Sequence, residues 1–183
     1  MINNNPVGYF DSGVGGLSIL KEVKKLLPLE NSIFLADQKN IPYGKKNKQE
    51  LNKITTQITS FLISQKIKLL VVACNTATCY CIDHLRREFK IPIVGVVPAI
   101  KTAASISKKS KITILSTPAT TKSDYLNKLI EAHASKTKVK KIACTGLEEA
   151  VETLDKNRID KLLNLYAKNI IDFGSDVTVL GCT

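Results

Sequence analysis

Lys68-Leu69-Leu70-Val71-Val72-Ala73-Cys74-Asn75-Thr76 is the stretch that decides the fold. An aliphatic, partly β-branched run ends on a cysteine and is followed at once by small polar residues. A short, continuous apolar run of this kind fits a strand buried on both faces of a parallel sheet. The same pattern returns at Asp176-Val177-Thr178-Val179-Leu180-Gly181-Cys182-Thr183. Each run follows an amphipathic helical stretch. A buried strand that ends in a thiol, used twice, implies two similar lobes presenting one thiol each to a shared site.

Working outward, short apolar runs alternate with longer helical stretches, the signature of a parallel sheet with covering helices. Strands are expected at 7–11, 32–36, 69–73, 93–96, 112–116, 139–143 and 177–181. Helices are expected at 15–26, 47–65, 77–89, 98–107, 120–133 and 157–173. Leu51, Ile54, Ile58, Phe61 and Leu62 form one helical stripe, and Ile159, Leu162, Leu163, Tyr166, Ile170 and Ile171 form another; both read as core. The expected fold is therefore α/β: two similar lobes with mainly parallel sheets flanked by helices, and an active site in the cleft between them. The best boundary is near Pro98, where a strand meets a helix start, giving lobes at 1–97 and 98–183. The chain stops at Thr183, where a helix is expected to begin, so it reads as truncated.

The 183 residues are 44% hydrophobic, ample for packed cores, and with no tryptophan and few aromatics those cores should be aliphatic. No run of about 18 uncharged apolar residues is present, so no membrane span is expected. The amino terminus, Met1-Ile2-Asn3-Asn4-Asn5-Pro6, lacks the basic and apolar regions of a signal peptide. Five cysteines, an odd number with Cys79 and Cys81 close together, argue against a secreted disulfide framework and for a cytoplasmic protein with reduced thiols. The net charge of +11 comes mostly from lysine, clustered at 45–48, 108–111 and 136–141. These clusters lie in separate turns, without interleaved aromatics and with only three arginines, so they read as solvated surface and no nucleic-acid partner is expected.

Candidate chemistry sits at strand ends. Phe10-Asp11-Ser12-Gly13-Val14-Gly15-Gly16-Leu17 ends the first strand, so Asp11 and Ser12 face the crevice where open α/β sheets bind ligands. The glycines allow backbone N–H groups to approach an anion, with a helix N-terminus behind them. The spacing matches neither a dinucleotide fingerprint nor a P-loop, and the segment also reads as a tight turn with a capping Asp or Ser. Ile41-Pro42-Tyr43-Gly44 reads as an ordinary turn or, at the same sheet edge, as a holder of a carboxylate through its backbone and the Tyr43 hydroxyl. Cys74 stands where a strand becomes a helix, a position that lowers a thiol's pKa from about 8.5. Asn75 and Thr76 beside it offer donors to a carboxylate or oxyanion; a buried structural cysteine is the other reading. Cys74, Cys79, Cys81 and His84 fit no zinc spacing, and on a helix they cannot converge on one ion, so no metal is expected. Cys79, Cys81 and Cys144 read as small core residues, and His84 and His133 as surface or partly packed histidines.

Together these motifs resemble the glutamate racemases, cofactor-independent enzymes of the aspartate/glutamate racemase superfamily. The resemblance rests on Phe-Asp-Ser-Gly-Val-Gly-Gly-Leu at 10–17, Pro-Tyr-Gly at 42–44, Ala-Cys-Asn-Thr-Ala at 73–77, Val-Val-Pro-Ala at 96–99 and Leu-Gly-Cys-Thr at 180–183. It implies that Cys74 and Cys182 are the two acid/base thiols, and that Asp11, Ser12, Tyr43, Gly44, Asn75, Thr76 and Thr183 bind glutamate or assist. Thr117 and Thr120 keep the family's substrate-facing spacing, although Ala119 stands where the family often has glycine. Glu152 falls eight residues after Cys144, where the family places an assisting glutamate, although 145–151 departs from the usual proline-rich stretch. The resemblance further implies interconversion of L- and D-glutamate without cofactor, supply of D-glutamate for peptidoglycan, and room for a homodimer. The alternatives are a racemase of aspartate or a related amino acid and a non-catalytic remnant.

Overall fold

The computed structural model describes residues 4–183, so the first three residues of the amino-terminal stretch lie outside the described residues. The chain forms two compact units, one running through Val96 and including Thr183, the other Val97–Cys182. Both are α/β units with parallel sheets flanked by helices.

In the first unit the strands are β1 (Val7–Asp11), β2 (Ser32–Ala36), β3 (Leu69–Val72) and β4 (Ile93–Gly95), in the order β2-β1-β3-β4 and all parallel. Every residue of β1 is buried, as a central strand covered on both faces requires. Helices α1 (Leu17–Leu26), α2 (Lys48–Ser64) and α3 (Asn75–Glu88) connect the strands. Val7, Tyr9, Val71 and Ala73 pack against Ile19, Leu20 and Val23 of α1. Asn47 starts α2 with a reciprocal capping box: its side chain accepts from the Glu50 N–H at 3.0 Å, and Glu50 accepts from the Asn47 N–H at 3.0 Å.

The buried face of α2 is Leu51, Thr55, Ile58, Thr59 and Leu62. Phe61, expected in that stripe, is 52% exposed, and Ile54 is half-buried. The face that α2 turns inward lies one step round the helix from the most hydrophobic one, and it takes in two threonines. Thr55 can afford burial because its hydroxyl donates to the Leu51 carbonyl at 2.8 Å.

In the second unit β5 (Lys111–Ser116) lies between β6 (Lys138–Ala143) and β7 (Val177–Leu180), again all parallel. Its helices are α4 (Ile100–Ile106), α5 (Pro118–Lys122), α6 (Asp124–Ala134), α7 (Leu147–Glu152) and α8 (Lys156–Phe173). Ile100, Ala103, Ile112, Ile114, Leu126, Ala134 and Val179 make one aliphatic core. The expected helix at 120–133 is two helices. Thr117 caps α5 with Pro118 in its first turn, and Ser123, extended, ends α5 and caps α6 through the Leu126 N–H at 3.2 Å. The α7 helix was not expected at all. Of the stripe expected on α8, Tyr166 is buried, its hydroxyl donating to the Thr145 carbonyl at 3.0 Å, whereas Leu163 and Ile171 are exposed.

Asp176, just before β7, closes a long-range bracket in this unit. Its Oδ1 accepts from the Ser107 hydroxyl at 2.6 Å, and its Oδ2 from the Lys108 and Lys109 N–H groups at 2.7 and 3.0 Å. The Ser107 bond, opposed by desolvation and helped by the two amides, holds this carboxyl below its ordinary 3.8. A carboxyl whose folded pKa is depressed stabilises the fold above the unfolded value and loses that contribution as pH falls through the folded one. The melting-temperature advantage of the wild type over Asp176→Asn should therefore be full near neutrality and shrink below about pH 4. A gap that stays constant from pH 7 to pH 2.5 would show that the bracket does not depend on the charge.

Candidate active site

The parallel register sets three strand ends side by side. The Ala73 N–H donates to the Phe10 carbonyl at 2.8 Å, and the Asp37 N–H donates to the Asp11 carbonyl at 2.9 Å. Asp11, Asp37 and Cys74 therefore lie on neighbouring carboxyl ends of the first unit's sheet, where open α/β folds place their ligands.

Asp11 is 3% exposed and organises the glycine loop. Its Oδ2 accepts from the Gly13 and Gly16 N–H groups at 3.2 and 3.1 Å, and its Oδ1 accepts from the Thr183 hydroxyl at 3.3 Å. The carboxylate thus closes the turn that leads into α1. The close approach explains two of the glycines. A Cβ at Gly16 would come within 2.7 Å of Asp11 Cβ and 3.0 Å of Ala73 Cβ, and one at Gly15 would strike the Thr183 carbonyl.

Cys74, 5% exposed, is the N-cap residue of α3. Its Sγ accepts from the Ala77 N–H at 3.5 Å, so the sulfur takes up one of the donors a helix start leaves over, and it lies 3.9 Å from the Ser12 hydroxyl. Asn75 and Thr76 form the buried first turn behind it. The Asn75 Oδ1 is buried without a hydrogen-bond partner. An orphaned buried acceptor on the residue after the thiol can take a donor from a water or a ligand.

Tyr43 and Gly44 are buried in a short 3-10 turn, Tyr43–Lys45, after the cis Ile41–Pro42 bond. The Tyr43 hydroxyl, read from sequence as a donor to a ligand carboxylate, donates to the protein's own Asp37, at 2.7 Å to Oδ2. Burial, with the Asp37 bond next, raises the phenol well above its ordinary value, so it stays protonated. Asp37 escaped the sequence reading. The one signal for it was its position at the end of the second strand, six residues before a tyrosine.

In the second unit Thr117 and Thr120 are buried at the start of α5, where the Thr117 hydroxyl oxygen accepts from the Thr120 N–H at 3.2 Å and its proton goes to Thr120 Oγ1 at 3.1 Å. Cys182 follows β7 and is exposed, and Glu152 is half-buried at the end of α7. The first unit gathers Asp11, Ser12, Tyr43, Gly44, Cys74, Asn75, Thr76 and Thr183; Thr117, Thr120, Glu152 and Cys182 belong to the second.

All five cysteines are thiols. Burial pushes the Cys81 and Cys144 thiols each up to about 11, which keeps them protonated core groups. Cys79, expected in the core, is only half-buried. His84 bonds through Nε2 to the Thr56 hydroxyl at 3.0 Å, tying α3 to α2, and His133 is exposed. Among the described residues no helix is long and apolar enough to cross a membrane.

The Asp/Glu/Hydantoin racemase family model matches residues 17–183. A glutamate racemase of Roseiflexus sp. (strain RS-1) is 44% identical over 181 residues, covering 97% of this chain and 66% of the relative. One from Clostridium botulinum (strain Hall) is 45% identical over 151 residues, covering 82% of this chain and 59% of the relative. The chain thus spans less than two thirds of either relative's length. Among solved structures, Escherichia coli glutamate racemase in complex with L-glutamate and the activator UDP-MurNAc-Ala superposes with a TM-score of 0.83 at 32% identity, covering 97% of this chain and 69% of that one. With a family match that takes in both thiol-bearing strand ends, the chain belongs to the Asp/Glu/hydantoin racemase family.

Proposed function

We propose that the protein racemises glutamate by proton transfer between two thiols, Cys74 and Cys182, without a cofactor. The observation that carries this reading is the pairing at the start of α3: a buried thiol held by a helix N–H beside a buried amide oxygen that has no partner. A substrate ammonium satisfies that oxygen, and the positive end of the α3 dipole suits a carboxylate. The similarity to glutamate racemases, one of them solved with L-glutamate, supports glutamate as the substrate.

In the reaction the Cys74 thiolate removes the α-proton from one face of the substrate, and the C–H electron pair stays on the α-carbon as a carbanion. Cys182 delivers its thiol proton to the opposite face, which inverts the centre and leaves the two thiols with exchanged protonation states. The opposite enantiomer runs the same steps in reverse. Because the α-C–H bond is a far weaker acid than a thiol, most of the work is positioning and electrostatic support of the carbanion; holding groups in reacting geometry supplies about 7–11 kcal/mol. Ser12, Thr76, Thr117, Thr120 and Thr183 bind substrate in this reading, and Asp11 and Glu152 assist the thiols. The protein works in the cytoplasm, with D-glutamate passing to cell-wall synthesis.

Incubation with L-glutamate in D2O, with no cofactor added, tests this. The expected result is D-glutamate that carries deuterium at Cα, with aspartate a poorer substrate. Inversion without deuterium uptake, or turnover of aspartate alone, overturns the reading.

A further inference from the structure

Asp37 is a buried carboxylate that the proposed proton transfer does not use. It is 9% exposed, directly after β2, and it accepts from two side chains: Tyr43 Oη at 2.7 Å on Oδ2, and Asn40 Nδ2, shared between Oδ2 at 2.9 Å and Oδ1 at 2.8 Å. Its own N–H donates to the Asp11 carbonyl. Burying a carboxylate is costly unless donors surround it, and here a side-chain amide and a phenol do so. Tyr43 is fully buried, and its hydroxyl has a single proton, which goes to Asp37. The tyrosine therefore acts on its surroundings through its backbone. Pro42 and Tyr43 carbonyls accept from the Lys45 and Lys46 N–H groups at 3.3 and 3.1 Å, closing the turn that contains Gly44 and packs against α3.

We propose that Asp37, with Asn40 behind it, is a positioning residue: it clamps Tyr43 so that the Pro42–Tyr43–Gly44 backbone is held ready for a carboxylate of the substrate. Through its main-chain bond to Asp11, the same residue fixes this turn to the glycine loop, so the two loops move as one. The role assigned to the clamp rests on the racemase reading; the clamp itself does not.

Hydrogen exchange across 38–47, read by mass spectrometry on the full chain, tests the clamp without reference to activity. Asp37→Ala and Tyr43→Phe should each speed exchange in this segment about tenfold or more while leaving the rest of the sheet unchanged. Asp37→Asn, whose amide oxygen still accepts from the phenol, should lie between, and the Asp37→Ala/Tyr43→Phe double variant should be no looser than the worse single one. Unchanged exchange in Tyr43→Phe and Asp37→Asn together with Asp37→Ala overturns the clamp. Protection of Cys74 from iodoacetamide by glutamate tests its purpose. The half-protecting concentration should rise about tenfold in Asp37→Ala, with the unprotected alkylation rate unchanged and Asp37→Asn partly restored. Equal protection in wild type and Asp37→Ala overturns the positioning role. Absence of protection in the wild type overturns the glutamate reading instead, and the exchange result alone then decides the clamp.

Discussion

Cys74→Ser and Cys182→Ser are each expected to lose glutamate racemisation by about 10²–10⁴-fold, the usual worth of a positioned acid or base. A serine hydroxyl preserves the shape of the side chain and can meet the same partners, but it ionises so much less readily that it cannot take the α-proton. The two losses should differ in kind. With one thiol intact, each variant should still exchange the α-hydrogen of a single enantiomer with solvent, because the remaining base reaches one face only. Opposite enantiomers should be exchanged by the two variants. Measuring D-glutamate formation and α-deuterium uptake from each enantiomer reads both effects. Racemisation within a few-fold of wild type in either variant removes that thiol from the mechanism. Loss of exchange from both enantiomers in a variant that still binds glutamate would show that the thiols act together on one proton.

Asp11→Ala is expected to be the most damaging single change to the first unit's site. The carboxylate receives the Gly13 and Gly16 N–H groups in a nearly water-free position, and removing it strands both donors. Each stranded buried donor costs about 1–3 kcal/mol, a large share of a typical stability of about 5–15 kcal/mol. The Thr183 hydroxyl loses its acceptor as well. A urea titration should show a lower midpoint with an unchanged slope. Asp11→Asn should recover only part of the loss, because a neutral amide oxygen accepts the two glycine N–H groups more weakly than the carboxylate does. A midpoint for Asp11→Ala equal to wild type would mean that the loop holds itself without the carboxylate, and Asp11 would then be free for chemistry alone.

The strands were the legible part of the fold: the central strands β1, β3 and β5 are largely buried and mostly apolar, whereas the edge strands β2, β6 and β7 are only partly buried. Each of the seven expected strands is present, with ends that differ by a residue or so. Cys74 could be read at a strand-to-helix junction from its neighbours alone, and it is the N-cap of α3. Helices were less legible. Ser123 divides what periodicity reads as one helix, since a local hydroxyl–amide bond outweighs the hydrophobic pattern over so few residues. The orientation of α2 was legible only approximately. Phe61 is the largest apolar side chain in the helix, yet burial goes to Thr55 and Thr59, which are small enough for α3 to approach.

What the sequence by itself determined is the alternation of strands and helices, the parallel sheets and the type of residue at each strand end. These follow from short-range pattern: side-chain volume, branching and polarity repeat with the period of the element that carries them. What only the tertiary structure decided is how polar groups far apart in the chain were spent. The Tyr43 phenol looks available to a ligand in sequence and is committed to Asp37; Asp176 binds amides 67 and 68 residues away; the Asp11 carboxylate closes a loop and meets Thr183 from the other end of the chain. Most buried polar groups are paired wherever the fold brings a partner within about 3 Å, and no pattern in neighbouring residues encodes which partner that is.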